Sequence, residues 1–92
     1  MNEEDEQNFT EKNVYPNPFS TELTVIVPKE IGEQAKVHLI DQFGKIVFED
    51  QVDGRTKLFY NGSWLRRLSN GVYQLRLQNE TKVIQYKLIK ID

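Results

Sequence analysis

Few residues of this 92-residue chain have the chemistry for catalysis. The only histidine is His38, there is no cysteine, and the nearest approach to a carboxylate cluster is Asp41, Asp50 and Asp53. Nucleophilic catalysis needs a hydroxyl or thiol beside a base. Ser63 and Ser69 have no base near them in sequence, and neither lies in a Gly-x-Ser-x-Gly turn. His38 sits between Val37 and Leu39, the pattern of an exposed residue on a half-buried strand. The three aspartates lack the Asp-x-Asp-x-Asp-Gly spacing of a calcium loop and suit turns instead. Gly44, Gly54, Gly62 and Gly71 are dispersed as turn glycines are, not gathered into a phosphate-binding loop. The expectation is a protein that is not an enzyme and holds neither metal nor cofactor.

Binding chemistry is better represented. Phe59, Tyr60 and Trp64 lie close together in the chain, and aromatic faces stack on sugar rings. Trp64 has two readings, a ligand platform or a core residue packed beside Leu65 and Leu68. Nucleic acid is a poor candidate, because phosphate binding needs a strongly basic surface and the net charge is −2. Five of the fourteen acids fall in residues 1–11, so the rest of the chain carries nine acids against twelve bases. That excess is too weak for a polyanion site.

The elements that must position these residues are strands. Residues 1–13 are polar and acidic, the composition of a flexible linker, and the domain runs over 14–92. Leu23 to Val27 reads as a strand with Leu23, Val25 and Val27 inward, stopped by Pro28. Lys36 to Asp41 alternates, with Val37 and Leu39 inward. Asp41-Gln42-Phe43-Gly44 is a type I turn leading into Lys45 to Glu49. Thr56 to Tyr60 is a further strand, and Ser63 caps a short helical turn through Trp64, Leu65 and Leu68. The last hairpin pairs Val72 to Leu77 with Lys82 to Ile91 across Asn79-Glu80. In its second strand Ile84, Tyr86 and Leu88 keep one phase while Ile89 and Ile91 take the other, which a bulge near Leu88 or burial on both faces would explain. With a short edge strand at Val14-Tyr15 this makes an all-β, immunoglobulin-like antiparallel sandwich of about seven strands. No apolar run reaches the ~18–20 residues of a membrane span. The N-terminus has no secretion signal, so an exported form would carry one upstream of Met1.

Four segments taken in order carry more information than any one alone. They are Val14-Tyr15-Pro16-Asn17-Pro18-Phe19-Ser20, Asp41-Gln42-Phe43-Gly44-Lys45-Ile46-Val47, Leu68-Ser69-Asn70-Gly71-Val72-Tyr73, and Lys87-Leu88-Ile89-Lys90 just before the end. In this order and spacing the chain resembles the C-terminal sorting domain of type IX secretion substrates of Bacteroidetes, from about Val14 to Ile91. The resemblance implies an address at the very C-terminus of a cargo protein, which the outer-membrane translocon and a shuttle protein read after passage through the periplasm. It implies delivery to the cell surface or medium, with a sortase-like enzyme cutting within the acidic segment before Val14. Matching motif by motif, the implied recognition residues are Pro16, Asn17, Pro18, Gly44, Lys45, Gly71, Tyr73, Lys87 and Lys90. Each also has a structural reading: the prolines and glycines shape turns, Tyr73 packs in the core, and the lysines protect an exposed edge strand. Arg66-Arg67 makes the loop before the third segment more basic than the family pattern. The alternative function is a carbohydrate-binding or adhesive module of a surface enzyme, and oligomeric state stays open.

Overall fold

The computed structural model describes residues 13–92. The expected acidic linker therefore lies, except for Asn13, outside the described residues. Seven strands form: β1 (Val14–Tyr15), β2 (Leu23–Ile26), β3 (Lys36–Ile40), β4 (Ile46–Gln51), β5 (Lys57–Tyr60), β6 (Gly71–Gln78) and β7 (Val83–Lys90). A 3-10 turn at Lys29–Ile31 lies between β2 and β3, and one short helix, α1 (Ser63–Arg66), lies between β5 and β6.

The strands make two sheets, β1-β2-β5 and β4-β3-β6-β7, paired antiparallel throughout. This is the all-β sandwich expected from the strand-period runs. Its fourth strand lies beside β3 in the four-stranded sheet, whereas a constant-type immunoglobulin domain puts it in the other sheet. The chain therefore changes sheets between β4 and β5.

Alternation builds the core. Val37 and Leu39 of β3, Tyr73, Leu75 and Leu77 of β6, and Tyr86 and Leu88 of β7 face Leu23 and Val25 of β2 and Leu58 of β5. Each buried aliphatic side chain contributes about 1.5–3 kcal/mol, and with no disulfide this packing carries the fold. Val27 falls just past β2; its N–H bonds to Thr56 C=O at 2.9 Å and its side chain is only half-buried.

Three local expectations are corrected. Ser63 does not cap the helical turn. Gly62 holds the N-cap position without a side-chain bond, and Ser63 begins the helix, its Oγ accepting from Arg67 Nη2 at 3.1 Å. A Cβ on Gly62 would come within 2.6 Å of the Trp64 ring, so only glycine lets that ring fold back over the backbone. His38 is half-buried, not exposed, with its side chain 17% accessible and Nε2 3.8 Å from Glu49 Oε2.

The third correction concerns β7. Its pairing with β6 runs unbroken from Gly71↔Lys90 to Gln78↔Val83, so there is no bulge near Leu88. Burial on both faces does not occur either. Ile84, Tyr86, Leu88 and Lys90 point inward, while Ile89 and Ile91 stay 41% and 45% exposed. The strand keeps strict alternation and buries a lysine where hydrophobicity alone would place an isoleucine.

Candidate recognition site

The register brings the four segments to one end of the sandwich. Because Ile40 pairs with Gln74 and Gly71 with Lys90, the β3–β4 turn, the start of β6 and the finish of β7 are neighbours. Gly71 lies close to the Gln42 side chain, its Cβ position being 3.9 Å from Oε1. The remaining segment reaches this end as a strap along the outer edge of β7.

Asn17 is the centre of that strap. Its Nδ2 donates to Lys87 C=O at 3.0 Å and its Oδ1 accepts from Ile89 N–H at 3.0 Å. One carboxamide thus meets both backbone valences that a neighbouring strand would meet. Phe19 continues the pattern: its N–H donates to Ile89 C=O at 2.8 Å, and its C=O accepts from Ile91 N–H at 2.9 Å, as a parallel bridge to Lys90. Pro16 and Pro18 flank Asn17 in cis peptide linkages and, as prolines, bring no N–H of their own to the strap. The edge of β7 is closed from Lys87 to Ile91, so edge protection falls to the strap there and not to the lysines.

Phe19 is fully buried, and its ring meets Tyr73 edge-on at 6.2 Å. The Tyr73 hydroxyl donates to Ser69 C=O at 2.6 Å, four residues back, pinning the loop that leads into β6. Such a tyrosine corner marks the start of the sixth strand in immunoglobulin-like sandwiches. Gly71, at φ +149°, holds a conformation rarely open to other residues.

The β3–β4 turn is built on Asp41. Its C=O accepts from Gly44 N–H at 3.0 Å, the i to i+3 bond of the expected turn, and its Oδ1 accepts from Phe43 N–H and Lys45 N–H, each at 2.9 Å. Gly44, at φ +86°, makes the left-handed step that an L side chain would strain. A register shift at Leu39/Ile40 pairs Ile40 with Ile46 and leaves Lys45 and Phe43 exposed at the tip. Phe43 is 84% accessible.

The two lysines of the last segment have different surroundings. Lys87 is exposed. Lys90 is 1% accessible, which corrects the expectation that both stand on an exposed edge. Its Nζ donates to Leu68 C=O at 3.2 Å and Arg66 C=O at 3.4 Å and lies 3.9 Å from Asp92 Oδ1. It satisfies carbonyls left unpaired at the C-terminal end of α1, where a cation also meets the favourable end of the peptide dipoles. Its strand phase, shared with Ile84, Tyr86 and Leu88, was the sequence signal for this position. Reading the residues by type also passed over Phe19, whose signal was an aromatic directly after Pro-Asn-Pro, whereas Asp41 fills the turn role expected of it.

Two of the three aromatic candidates pack into one cluster with Phe48, and Trp64 is half-buried against the core. Trp64 stacks on Phe48 with centroids 3.9 Å apart and planes within 10°, and Tyr60 abuts both rings edge-on. Phe59 faces the other way from Tyr60 on β5 and is 53% exposed. Next to this cluster Tyr60 Oη donates to Asp50 Oδ2 at 2.8 Å, and Arg55 Nη2 to the same oxygen at 3.1 Å. Burial works to raise the Asp50 pKa, but hydrogen bonds from Gln51 N–H, Tyr60 and Arg55 outweigh it and hold the carboxyl below its ordinary value. Burial, reinforced by Asp50, pushes the Tyr60 phenol well above its ordinary value.

Among the described residues no three His, Cys, Asp or Glu side chains gather as metal ligands, and no helix is long and apolar enough to cross a membrane. No curated protein matches the chain. The family model described as a secretion system C-terminal sorting domain matches residues 13–91.

Proposed function

We propose a function from one premise: this chain belongs to the family of secretion system C-terminal sorting domains. Its role is that of a sorting signal for type IX secretion, which sends attached cargo to the cell surface or the medium and works by contact with the secretion machinery. The observation that carries the finer reading is the convergence of four separated segments at one end of the sandwich. In that reading the end formed by Pro16 to Pro18, Gly44, Lys45, Gly71 and the finish of β7 is what the outer-membrane translocon and its shuttle protein engage.

Within this site the residues divide by what they touch. Asn17, Gly44, Gly71, Tyr73 and Lys90 set backbone positions, and Lys45 and Lys87 present charge to a partner. The domain does no chemistry of its own. A sortase-like enzyme cuts the chain on the N-terminal side of Val14, before the strap begins, which leaves the folded body intact.

The test is delivery. With the full chain fused behind a reporter that reaches the periplasm, a type IX-competent bacterium should place the reporter on its surface or in the medium. Removing residues 83–92 should hold it in the periplasm, and so should Lys45→Glu in a variant whose thermal melt matches the parent. A parent fusion retained in the periplasm overturns the sorting role for this chain. Normal delivery of the folded Lys45→Glu variant would remove that lysine from the recognition site.

A further inference from the structure

The outer face of the four-stranded sheet carries an uneven set of side chains. Strict alternation sends Lys36 and His38 of β3, Val72, Gln74 and Arg76 of β6, and Lys87 and Ile89 of β7 to this face. No acid occurs in β3, β6 or β7, and among the described strand residues Glu49, on the edge strand β4, is the only carboxylate on this face. Near the β3–β4 turn the same face is apolar. Ile46, Val72 and Ile89 are 42%, 38% and 41% accessible there, and Val72 sits directly opposite Ile89. Ile40 lies between them at 6% accessibility, covered by its neighbours on this face and not part of the central core.

The pattern is a flat apolar patch bordered by cations. Gln74 pairs with both Ile40 and Lys87, and His38 with Arg76, so Lys87 ends the row of Ile46 and Ile40, and Arg76 lies one row farther from Val72 and Ile89. Solvent alone gives no reason for so one-sided a charge distribution in residues 12–92, which carry nine acids against twelve bases. Charge complementarity across an interface does, because opposite potentials steer association and like charges oppose it. Exposed β-branched side chains beside amides and cations also match a rim-and-centre interface.

We infer that this outer face is a docking surface for an acidic protein surface with an apolar centre, carried by the type IX secretion machinery. The inference rests on the sorting role and extends it from the turn end across the sheet. A protein fits better than a lipid bilayer for two reasons. The apolar groups on the sheet face, Ile46, Val72 and Ile89, are short β-branched side chains, and the protruding ring beside them, Phe43 at the turn tip, is a single residue where interfacial insertion uses a whole apolar helix face. The spaces between the cations are filled by glutamine amides, which pair with the polar groups of a protein rim.

The experiment uses the full chain behind the exported reporter, in three forms: parent, Arg76→Glu/Lys87→Glu, and Lys57→Glu. Lys57 is an exposed lysine on β5, in the other sheet, and controls for loss of any positive charge. The double reversal should lower the delivered fraction at least about ten-fold, and Lys57→Glu should leave it at the parental level. If thermal melts show the double reversal to be unfolded, Arg76→Gln/Lys87→Gln takes its place, with an expected loss of about three-fold. Parental delivery with equal delivery of the folded double variant overturns the docking surface and leaves the sorting role standing. An equal loss with Lys57→Glu also overturns it. A parent that is not delivered condemns the sorting role itself. Purified full chain is also sedimented with anionic phosphatidylglycerol vesicles: binding that the double reversal abolishes would overturn the protein partner in favour of a membrane, and no binding supports the protein.

Discussion

Two places join the sheets of this sandwich, and they do so by different means. At the turn end the strap docks on β7 through backbone groups and one carboxamide, and Phe19, Tyr73 and Lys90 are buried beneath it. On the β4–β5 side the link is made by side chains: a Phe48–Trp64 stack, Tyr60 against both rings, and Asp50 shared between Tyr60 and Arg55. All four segments behind the family resemblance meet at the first place, while Phe48, Tyr60 and Trp64 of the second lie outside them. The contrast teaches what a short motif can encode. Pro-Asn-Pro, Asp-x-x-Gly and Asn-Gly fix backbone directions, and those need particular residue types; a packed aromatic cluster can be assembled in many ways.

That contrast makes ordered predictions about stability. Phe19→Ala should cost most, about 3–5 kcal/mol, because it empties a fully buried ring site under the strap and takes away Tyr73's partner. Denaturant titration of the full chain reads the loss. Lys90→Met keeps the buried stem but leaves the Leu68 and Arg66 carbonyls unpaired, with an expected loss of about 1.5–3 kcal/mol by the same titration. A neutral result would mean that Lys90 is a tolerated charge and not a cap. Asn17→Ala removes two bonds at a partly solvated edge and should cost about 1–2 kcal/mol. Amide exchange should rise at Ile89, which loses its acceptor, more than at Ile91, which keeps Phe19.

The clasp between β4 and β5 should yield the smallest effect and the only one tied to pH. Asp50 has its folded pKa lowered, so its contribution is present above the unfolded value of about 4 and is lost as pH falls through the folded value. Comparing melts of the parent and Asp50→Asn should show a gap of at most about 1 kcal/mol that is constant from pH 7 to about 5 and closes below about 4. Asn17→Ala should show no such dependence. If Asp50→Asn proved more costly than Asn17→Ala, the division between a firm end and a lighter clasp would collapse.

Much of the fold was legible because strands in a two-layer protein alternate with period two. Val37 and Leu39, Tyr73 to Leu77, and Ile84 to Leu88 announced their faces, and the glycines and aspartates announced the breaks between them. The end of β7 misled for a definite reason. Hydropathy ranks Ile89 and Ile91 as core and Lys90 as surface, yet backbone pairing fixes the phase, and two carbonyls of another loop make the inner position habitable for an ammonium group. Trp64 stayed ambiguous for a similar reason, since its partner Phe48 lies on β4, a separate element earlier in the chain.

The sequence by itself determined the all-β class, the number of strands, the positions of the turns and membership in a family of sorting domains. Those depend on local residue preferences and on the order of short segments, both of which are written along the chain. Only the tertiary structure decided that Asn17 stands in for a strand, that Lys90 is buried while Lys87 is not, and that an acid-free face spans three strands. Each of these arises between residues far apart in the chain, where register and sheet order, and not residue type, set what is within reach.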